Sequence, residues 1–185
     1  KEIKLQEHRI GLTPESVKAL TDRNHEVLVE NNGGFEAGFT NEDYLKNGAK
    51  IIETPEEIFK KAELIVKVKE PQMKEVEMIR EGQIIYTYLH LAATKELTLG
   101  LMKTKSICIA YETVTDDNGR LPLLAPMSAV AGRMSVQAGA HALEKNQKGR
   151  GLLKGGAPGV DTANVVILGG GGVGANAAII AKGRR

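Results

Sequence analysis

The sequence predicts an α/β protein built on parallel β-sheets, and three patterns in the chain support this class. Short apolar runs alternate with segments of helical periodicity from the start of the chain to Tyr111. Four consecutive aliphatic residues at 165–168 lead directly into a glycine cluster, as in a strand that is buried on both faces. Small apolar side chains then recur at helical spacing as far as Ala181. We therefore predict two Rossmann-like parallel-sheet domains, of which the second is present only as its first strand, loop and helix.

The first predicted domain covers residues 1–125 and contains five short apolar runs that we interpret as strands. The first helix has a recognisable start, because Thr13 is a good N-cap and Pro14 suits the first helical position. Later helices are predicted over 71–80 and 94–103. Strands that alternate with helices at this spacing predict a parallel sheet. The predicted strands are 26–30, 51–52, 64–68, 83–89 and 106–111.

The glycine cluster fits the G-x-G-x-x-G fingerprint with Gly169, Gly171 and Gly174. In such a loop the first glycine permits a tight turn, the second lets a pyrophosphate approach the backbone, and the third lets the helix pack closely on the strand. We prefer this register because it starts directly after the predicted strand. Two alternatives stay open: a G-x-G-x-x-A register from Gly170 to Ala175, and a glycine-rich turn with a purely structural role.

The chain after the first predicted domain divides into two predicted segments. A turn signal at 116–119 marks the edge of the first domain, and a long helix is predicted from Ser128 to about Leu143. We assign residues 126–144 to a linking helix. Residues 145–185 are the predicted start of a dinucleotide-binding domain, which is incomplete.

The composition argues against several functions. The formal net charge is +2 over 185 residues and the basic residues are scattered, which gives no argument for nucleic-acid binding. No Cys, His and carboxylate cluster has metal-site spacing, and the single cysteine, Cys108, lies in an apolar run. The uncharged run 165–181 holds too many glycines to be a good membrane span. We therefore expect no metal, nucleic-acid or membrane partner and a reducing, cytoplasmic location. Because the chain opens on Lys1 and stops soon after the glycine loop, we also expect part of a longer protein.

Three side chains with useful chemistry are expected at one rim of the first sheet. Lys69 closes the predicted strand 64–68, His90 closes the strand 83–89, and Arg9 precedes the first helix. Ligands of open α/β sheets bind outside the carboxyl ends of the strands. Arginine can hold a carboxylate through two hydrogen bonds, lysine adds a point charge, and histidine can move a proton near neutral pH. This combination favours a small carboxylate substrate.

Each of these assignments has an alternative. A histidine at a strand end is often structural or merely exposed, so position alone gives His90 weak support. Lys67 is two residues from Lys69, and periodicity does not choose between them, although the Glu-Pro pair that follows favours Lys69 as the turn residue. Glu112, just past the last predicted strand, is a further rim candidate, with a solvated carboxylate as the alternative.

Several motifs, in order along nearly the whole chain, resemble the alanine dehydrogenase and pyridine nucleotide transhydrogenase family. They are KEIK at 1–4, RIGLTP at 9–14, VKVKEP at 66–71, YLHLA at 88–92 and PMSAVAGR at 126–133. The last two, together with the glycine loop, are closer to the alanine dehydrogenases than to the transhydrogenase α-subunits.

This resemblance implies NAD-dependent oxidative deamination of L-alanine to pyruvate and ammonia, and the reverse amination. It implies that Arg9 and Lys69 bind the substrate, that Lys69 and His90 are catalytic, and that His90 transfers the proton beside the carbonyl group. Met127 would line the substrate side of the site, and Ser128 the nicotinamide side. The cofactor-binding residues expected for NAD are Ser128, Gly169, Gly171, Val173 and Gly174.

The resemblance also implies parts that this sequence does not contain. Family members continue into a second nucleotide-binding strand, a catalytic aspartate and a return segment, and they are usually homo-oligomers, often hexamers. Arg184 and Arg185 do not resemble the expected continuation, so we expect residues 1–185 alone to be inactive. Two other functions stay open: the nucleotide-binding subunit of a proton-translocating transhydrogenase, and a non-catalytic NAD-binding protein.

Overall fold

A computed structural model describes residues 1–183, which form parts of two compact units. The first unit is Lys1–Val114, and the second begins at Thr115. Arg184 and Arg185, which depart from the expected family continuation, lie outside the described residues. The predicted assignment of 1–125, 126–144 and 145–185 to two domains and a linking helix stays a prediction.

The first unit contains five short parallel strands in two sheets. Strands β1 and β2 form one pair, and β3, β4 and β5 form a second sheet in that order. The predicted α/β class with parallel sheets is therefore confirmed. The five strands are divided between two sheets, and residues of β1 and β3 line a cleft. The strands are β1 Leu28–Glu30, β2 Lys50–Ile52, β3 Leu64–Val66, β4 Ile84–Thr87 and β5 Ile107–Ala110.

Three helices of the first unit begin where a threonine side chain accepts a hydrogen bond from a backbone N–H group of the first turn. Thr13 accepts a hydrogen bond from the Ser16 N–H, and Thr40 forms a capping box with Asp43. Thr54 caps the following helix in the same way. The helices are α1 Pro14–Thr21, α2 Asn41–Lys46, α3 Pro55–Lys61, α4 Met73–Val76 and α5 Lys95–Thr104.

The predicted helix over 71–80 is wrong in length, since only Met73–Val76 are α-helical. After Val76 the chain tightens, because the Met78 and Ile79 N–H groups bond to carbonyls three residues back. The Arg80 side chain then donates to two carbonyl oxygens around the end of α3. These contacts with a distant part of the chain end the helix before its apolar periodicity does.

Each sheet of the first unit has its own hydrophobic core. Side chains of α1 and α2 cover the two-stranded sheet, with Val17 and Tyr44 fully buried. Side chains of α3, α4 and α5 cover the three-stranded sheet, whose central residue Ile85 is also fully buried. Each group of strands is therefore a packed layer that can hold the loops at its carboxyl edge.

The second unit contains two helices that cross closely. Helix α6 is Ala125–Ala142, which confirms the predicted long helix with a slightly earlier start, and α7 is Gly172–Gly183. A Cβ on Gly132 of α6 would lie 2.2 Å from the Val173 carbonyl oxygen of α7, so glycine allows this approach. In the described part of the chain, no helix is long and apolar enough to span a membrane.

The predicted strand at 165–168 is wrong for the described residues, because this segment has no strand assignment. A strand requires a hydrogen-bonded neighbour, and residues 1–183 provide none for it. Accordingly, 82% of Val166 and 94% of Leu168 are exposed. The loop and helix that follow have the predicted order.

Candidate active site

Arg9 lies in the loop before α1 and is held by Glu7. Two guanidinium N–H groups donate to the two Glu7 carboxylate oxygens, over 2.8 Å from Nε and 2.6 Å from Nη2. The Arg9 backbone N–H also donates to Glu7, over 3.0 Å. The side-chain hydrogen bond from Arg9 lowers the pKa of the Glu7 carboxyl from 4.5 to about 2. Glu7 therefore stays ionised and fixes the plane of the guanidinium group.

Lys67 is a buried structural residue. Its Nζ donates to Glu75 over 2.6 Å and to Glu2 over 3.2 Å, and all three side chains are at most 8% exposed. The other Glu2 oxygen accepts the Val68 N–H over 2.7 Å. The Lys67 ammonium group is enclosed between two carboxylates. Its burial favours Lys69, rather than Lys67, as the lysine that binds a substrate.

Lys69 is only half-buried, and its backbone is tied to the end of β4. The Thr87 hydroxyl donates to the Lys69 carbonyl oxygen over 2.8 Å. The positive charge of Lys69 contributes to the lowered pKa of Glu7, the residue that holds Arg9. Arg9 and Lys69 are 60 residues apart in sequence, and the charges of both lower the pKa of Glu7.

His90 is exposed and has a left-handed backbone, with φ 48° and ψ 39°. The His90 N–H donates to Glu112 Oε1 over 2.7 Å, and the Leu89 N–H donates to Glu112 Oε2 over 3.2 Å. Glu112 follows β5, so it joins the ends of two neighbouring strands. The alternative of a freely solvated Glu112 carboxylate does not hold.

Tyr88 directly follows β4 and lies two residues before His90. Its ring packs edge-on against Tyr111, with centroids 4.9 Å apart and planes at 89°. Burial raises the pKa of the Tyr88 hydroxyl, while the nearby charge of Arg9 acts in the opposite direction and that of Glu112 in the same direction.

Two of these residues were not identified from the sequence. Glu7 is separated from Arg9 by one residue. A carboxylate so close to an expected substrate-binding arginine could have predicted their ion pair. Tyr88 lies two residues before His90 at the end of an alternating strand, but nothing local indicated its contacts.

The glycine loop of the second unit has a different backbone role at each position. Gly169 has a φ of +95°, which favours glycine, and a Cβ on Gly174 would lie 1.9 Å from the Gly169 carbonyl oxygen. A Cβ on Gly171 would meet no atom of the described chain within 4 Å. A tight turn, an open Cα and a close packing position in this order fit a bound pyrophosphate at the start of α7, and the register that begins at Gly169 stays a prediction.

Two other predicted cofactor residues, Ser128 and Val173, and the predicted substrate residue Met127 belong to the second unit. Ser128 is in the first turn of α6, and its Cβ is 3.4 Å from the position of a Cβ on Gly172. Met127 precedes it in the same turn and is half-buried. Val173 follows Gly172 in the first turn of α7 and is 45% exposed. The first turns of the two helices therefore meet beside the glycines.

Comparison with known proteins identifies the family. Residues 1–131 match the model of the alanine dehydrogenase/PNT N-terminal domain, and residues 135–184 match that of the C-terminal domain. The chain belongs to the alanine dehydrogenase/PNT family. Its members named alanine dehydrogenase are oxidoreductases, and the predicted resemblance is confirmed.

Individual relatives match the chain almost from end to end. It is 52% identical to an alanine dehydrogenase of Halomonas elongata and 51% identical to one of Methanococcus maripaludis, with 99% of this chain covered in both comparisons. These matches cover 49% of each relative, so the chain spans about half the length of the curated relatives it matches.

Two solved structures are similar to the chain. An L-alanine dehydrogenase structure is similar with a TM-score of 0.89 and 50% identity, and the match covers 100% of this chain and 51% of that one. A transhydrogenase from Sinorhizobium meliloti has a TM-score of 0.76 and 22% identity, with 100% and 55% covered. The second likeness concerns the fold alone.

Proposed function

We propose that the intact protein catalyses the reversible NAD-dependent oxidative deamination of L-alanine to pyruvate and ammonia. The observation that carries this proposal is that the first unit holds Arg9 on the Glu7 carboxylate and the His90 backbone on the Glu112 carboxylate. The identity of about one half to alanine dehydrogenases over the whole chain supports it.

In this proposal Arg9 and Lys69 bind the carboxylate and the carbonyl oxygen of pyruvate. Arg9, whose plane is fixed by Glu7, holds the carboxylate, and Lys69 donates to the carboxylate and the carbonyl oxygen. Lys69 also stabilises negative charge that develops on that oxygen. Met127 contributes an apolar wall on the substrate side.

His90 is the proposed proton-transfer residue. An exposed imidazole at a strand end can accept a proton when the carbinolamine collapses and return it in the amination direction. The carbonyl oxygen of pyruvate, which is the hydroxyl oxygen of the carbinolamine, must therefore lie within hydrogen-bonding reach of this ring.

When bound, NAD would supply the acceptor for the hydride of the alanine Cα. Gly169, Gly171 and Gly174 would hold its pyrophosphate, with Ser128 and Val173 beside them. We propose NAD rather than NADP from the family resemblance. We also propose that the parent protein is a cytoplasmic homo-oligomer and that residues 1–185 alone are inactive.

Turnover by the intact protein tests the function. Alanine with NAD should yield NADH and pyruvate, with a higher kcat/KM for NAD than for NADP. The variant His90→Ala should lose about 10²–10⁴-fold in kcat/KM and one limb of the pH–rate profile. Hydride exchange between nucleotides without alanine turnover would support a transhydrogenase subunit. NAD binding without either reaction would support a non-catalytic protein.

A further inference from the structure

Both oxygens of the Glu112 carboxylate accept hydrogen bonds from backbone N–H groups at the end of β4. One oxygen accepts the His90 N–H over 2.7 Å, and the other accepts the Leu89 N–H over 3.2 Å. Hydrogen bonds to an ionised acceptor are about twice as strong as neutral ones, and two of them from one carboxylate fix its orientation. Glu112 thus joins the end of β4 to the end of β5 through a hydrogen bond to His90, which is 22 residues away in sequence.

The backbone at His90 needs such a support. A left-handed conformation is uncommon for a residue with a Cβ, and it persists only where its surroundings enforce it. On the far side of His90, its carbonyl oxygen accepts the Ala93 N–H over 3.1 Å in the short 3-10 turn Leu91–Ala93. Glu112 and this turn therefore hold His90 from both directions.

Glu112 is itself held firmly. Its neighbour Tyr111 packs edge-on against both Tyr86 and Tyr88, with centroid distances of 4.3 and 4.9 Å. The following Thr113 hydroxyl donates to the Ala110 carbonyl oxygen over 3.1 Å. A carboxylate on such a turn can transmit a fixed geometry to the residue that it binds.

We propose that Glu112 is a positioning residue, whose carboxylate holds the Leu89 and His90 backbone so that the His90 imidazole is presented in one direction. Backbone φ and ψ at His90 set the direction of its Cα–Cβ bond, and the ring position follows from that direction. This proposal rests on the proposed function of His90. Glu112 acts through His90 and needs no contact with the substrate.

The first test measures the backbone contact and does not depend on activity. Glu112→Gln keeps the shape of the side chain but turns an amide donor toward one of the two N–H groups. Hydrogen exchange of the peptide that contains residues 84–93 should accelerate at Leu89 and His90 in the intact variant. The control Glu81→Gln removes a carboxylate that is 71% exposed and should leave this exchange unchanged. Equal exchange in wild type and Glu112→Gln would overturn the proposal, whether or not the protein oxidises alanine.

The second test is a double-mutant cycle on kcat for alanine deamination. Glu112→Gln should lower kcat about 10- to 100-fold, as for a misplaced catalytic group, and leave the Kd for NADH unchanged. In the His90→Ala background the same change should have almost no further effect, because the residue it positions is absent. Losses that multiply in the double variant would show that Glu112 acts independently of His90 and would overturn the proposal. Absence of alanine turnover in the wild type would instead contradict the proposed function, and the exchange experiment would still decide the backbone contact.

Discussion

Alanine substitutions at two positions of the glycine loop should affect different properties. We expect Gly174→Ala to lower the stability of the protein and Gly171→Ala to weaken NAD binding. A Cβ on Gly174 would lie 1.9 Å from the Gly169 carbonyl oxygen, well inside the distance that two such atoms tolerate. A Cβ on Gly171 would meet no atom of the described chain within 4 Å. Gly174→Ala must therefore displace the loop, whereas Gly171→Ala leaves the unliganded fold unchanged and fills the space proposed for the pyrophosphate.

The magnitudes follow from these distances. Overpacking of this kind costs about 1–3 kcal/mol, so Gly174→Ala should lower the Tm of the intact protein. Gly171→Ala should leave the stability within about 0.5 kcal/mol, as for an open surface position. If its methyl group displaces the pyrophosphate at a similar cost of about 1–3 kcal/mol, the Kd for NAD should rise about 5- to 150-fold.

Thermal unfolding and calorimetric titration with NAD measure both quantities on the same samples. Gly139→Ala is the matched control, because its Cβ also meets no atom of residues 1–183 within 4 Å and it lies inside α6, away from the loop. It should leave NAD binding unchanged and raise stability slightly, by about 0.5–1 kcal/mol. If Gly172→Ala weakened NAD binding and Gly171→Ala did not, the register that begins at Gly170 would be correct and our assignment would be refuted.

Three further predictions concern the charged residues of the first unit. Lys67→Ala leaves two buried carboxylates without their cation and should cost about 3–5 kcal/mol of stability. Lys69→Ala should change the stability by no more than about 0.5 kcal/mol and lower kcat/KM. A stable but inactive Lys67→Ala together with an active Lys69→Ala would reverse the assignment. Arg9→Lys loses the planar fork and should raise the KM for pyruvate about 10- to 100-fold with little change for NADH, while equal effects on both would make Arg9 structural. Because the pKa of Glu7 is lowered from 4.5 to about 2, its stabilising contribution is complete above pH 4.5 and is lost as the pH falls through about 2. The difference in Tm between wild type and Glu7→Gln should therefore shrink over that range, and a constant difference would contradict the ion pair.

The sequence alone determined the features that depend on near neighbours. The starts of α1, α2 and α3 follow from Thr13, Thr40 and Thr54, because a capping side chain bonds an N–H group only three residues ahead. The turn at Gly169 is equally local, because its φ of +95° is a property of one residue. The five strands of the first unit were also predictable as segments, since apolar runs of this length mark buried parallel strands.

Tertiary structure decided how those segments pair and which charges remain accessible. The separation of β1 and β2 from β3, and the absence of a strand at 165–168 within residues 1–183, depend on which backbone lies alongside. Lys67 and Lys69 are equivalent by periodicity, yet Lys67 meets Glu2 from 65 residues away and is enclosed. The bond from Glu112 to His90 crosses 22 residues in the same way. Pairing and burial of this kind depend on loop closure between distant segments, and no local pattern of residue types encodes which two segments meet.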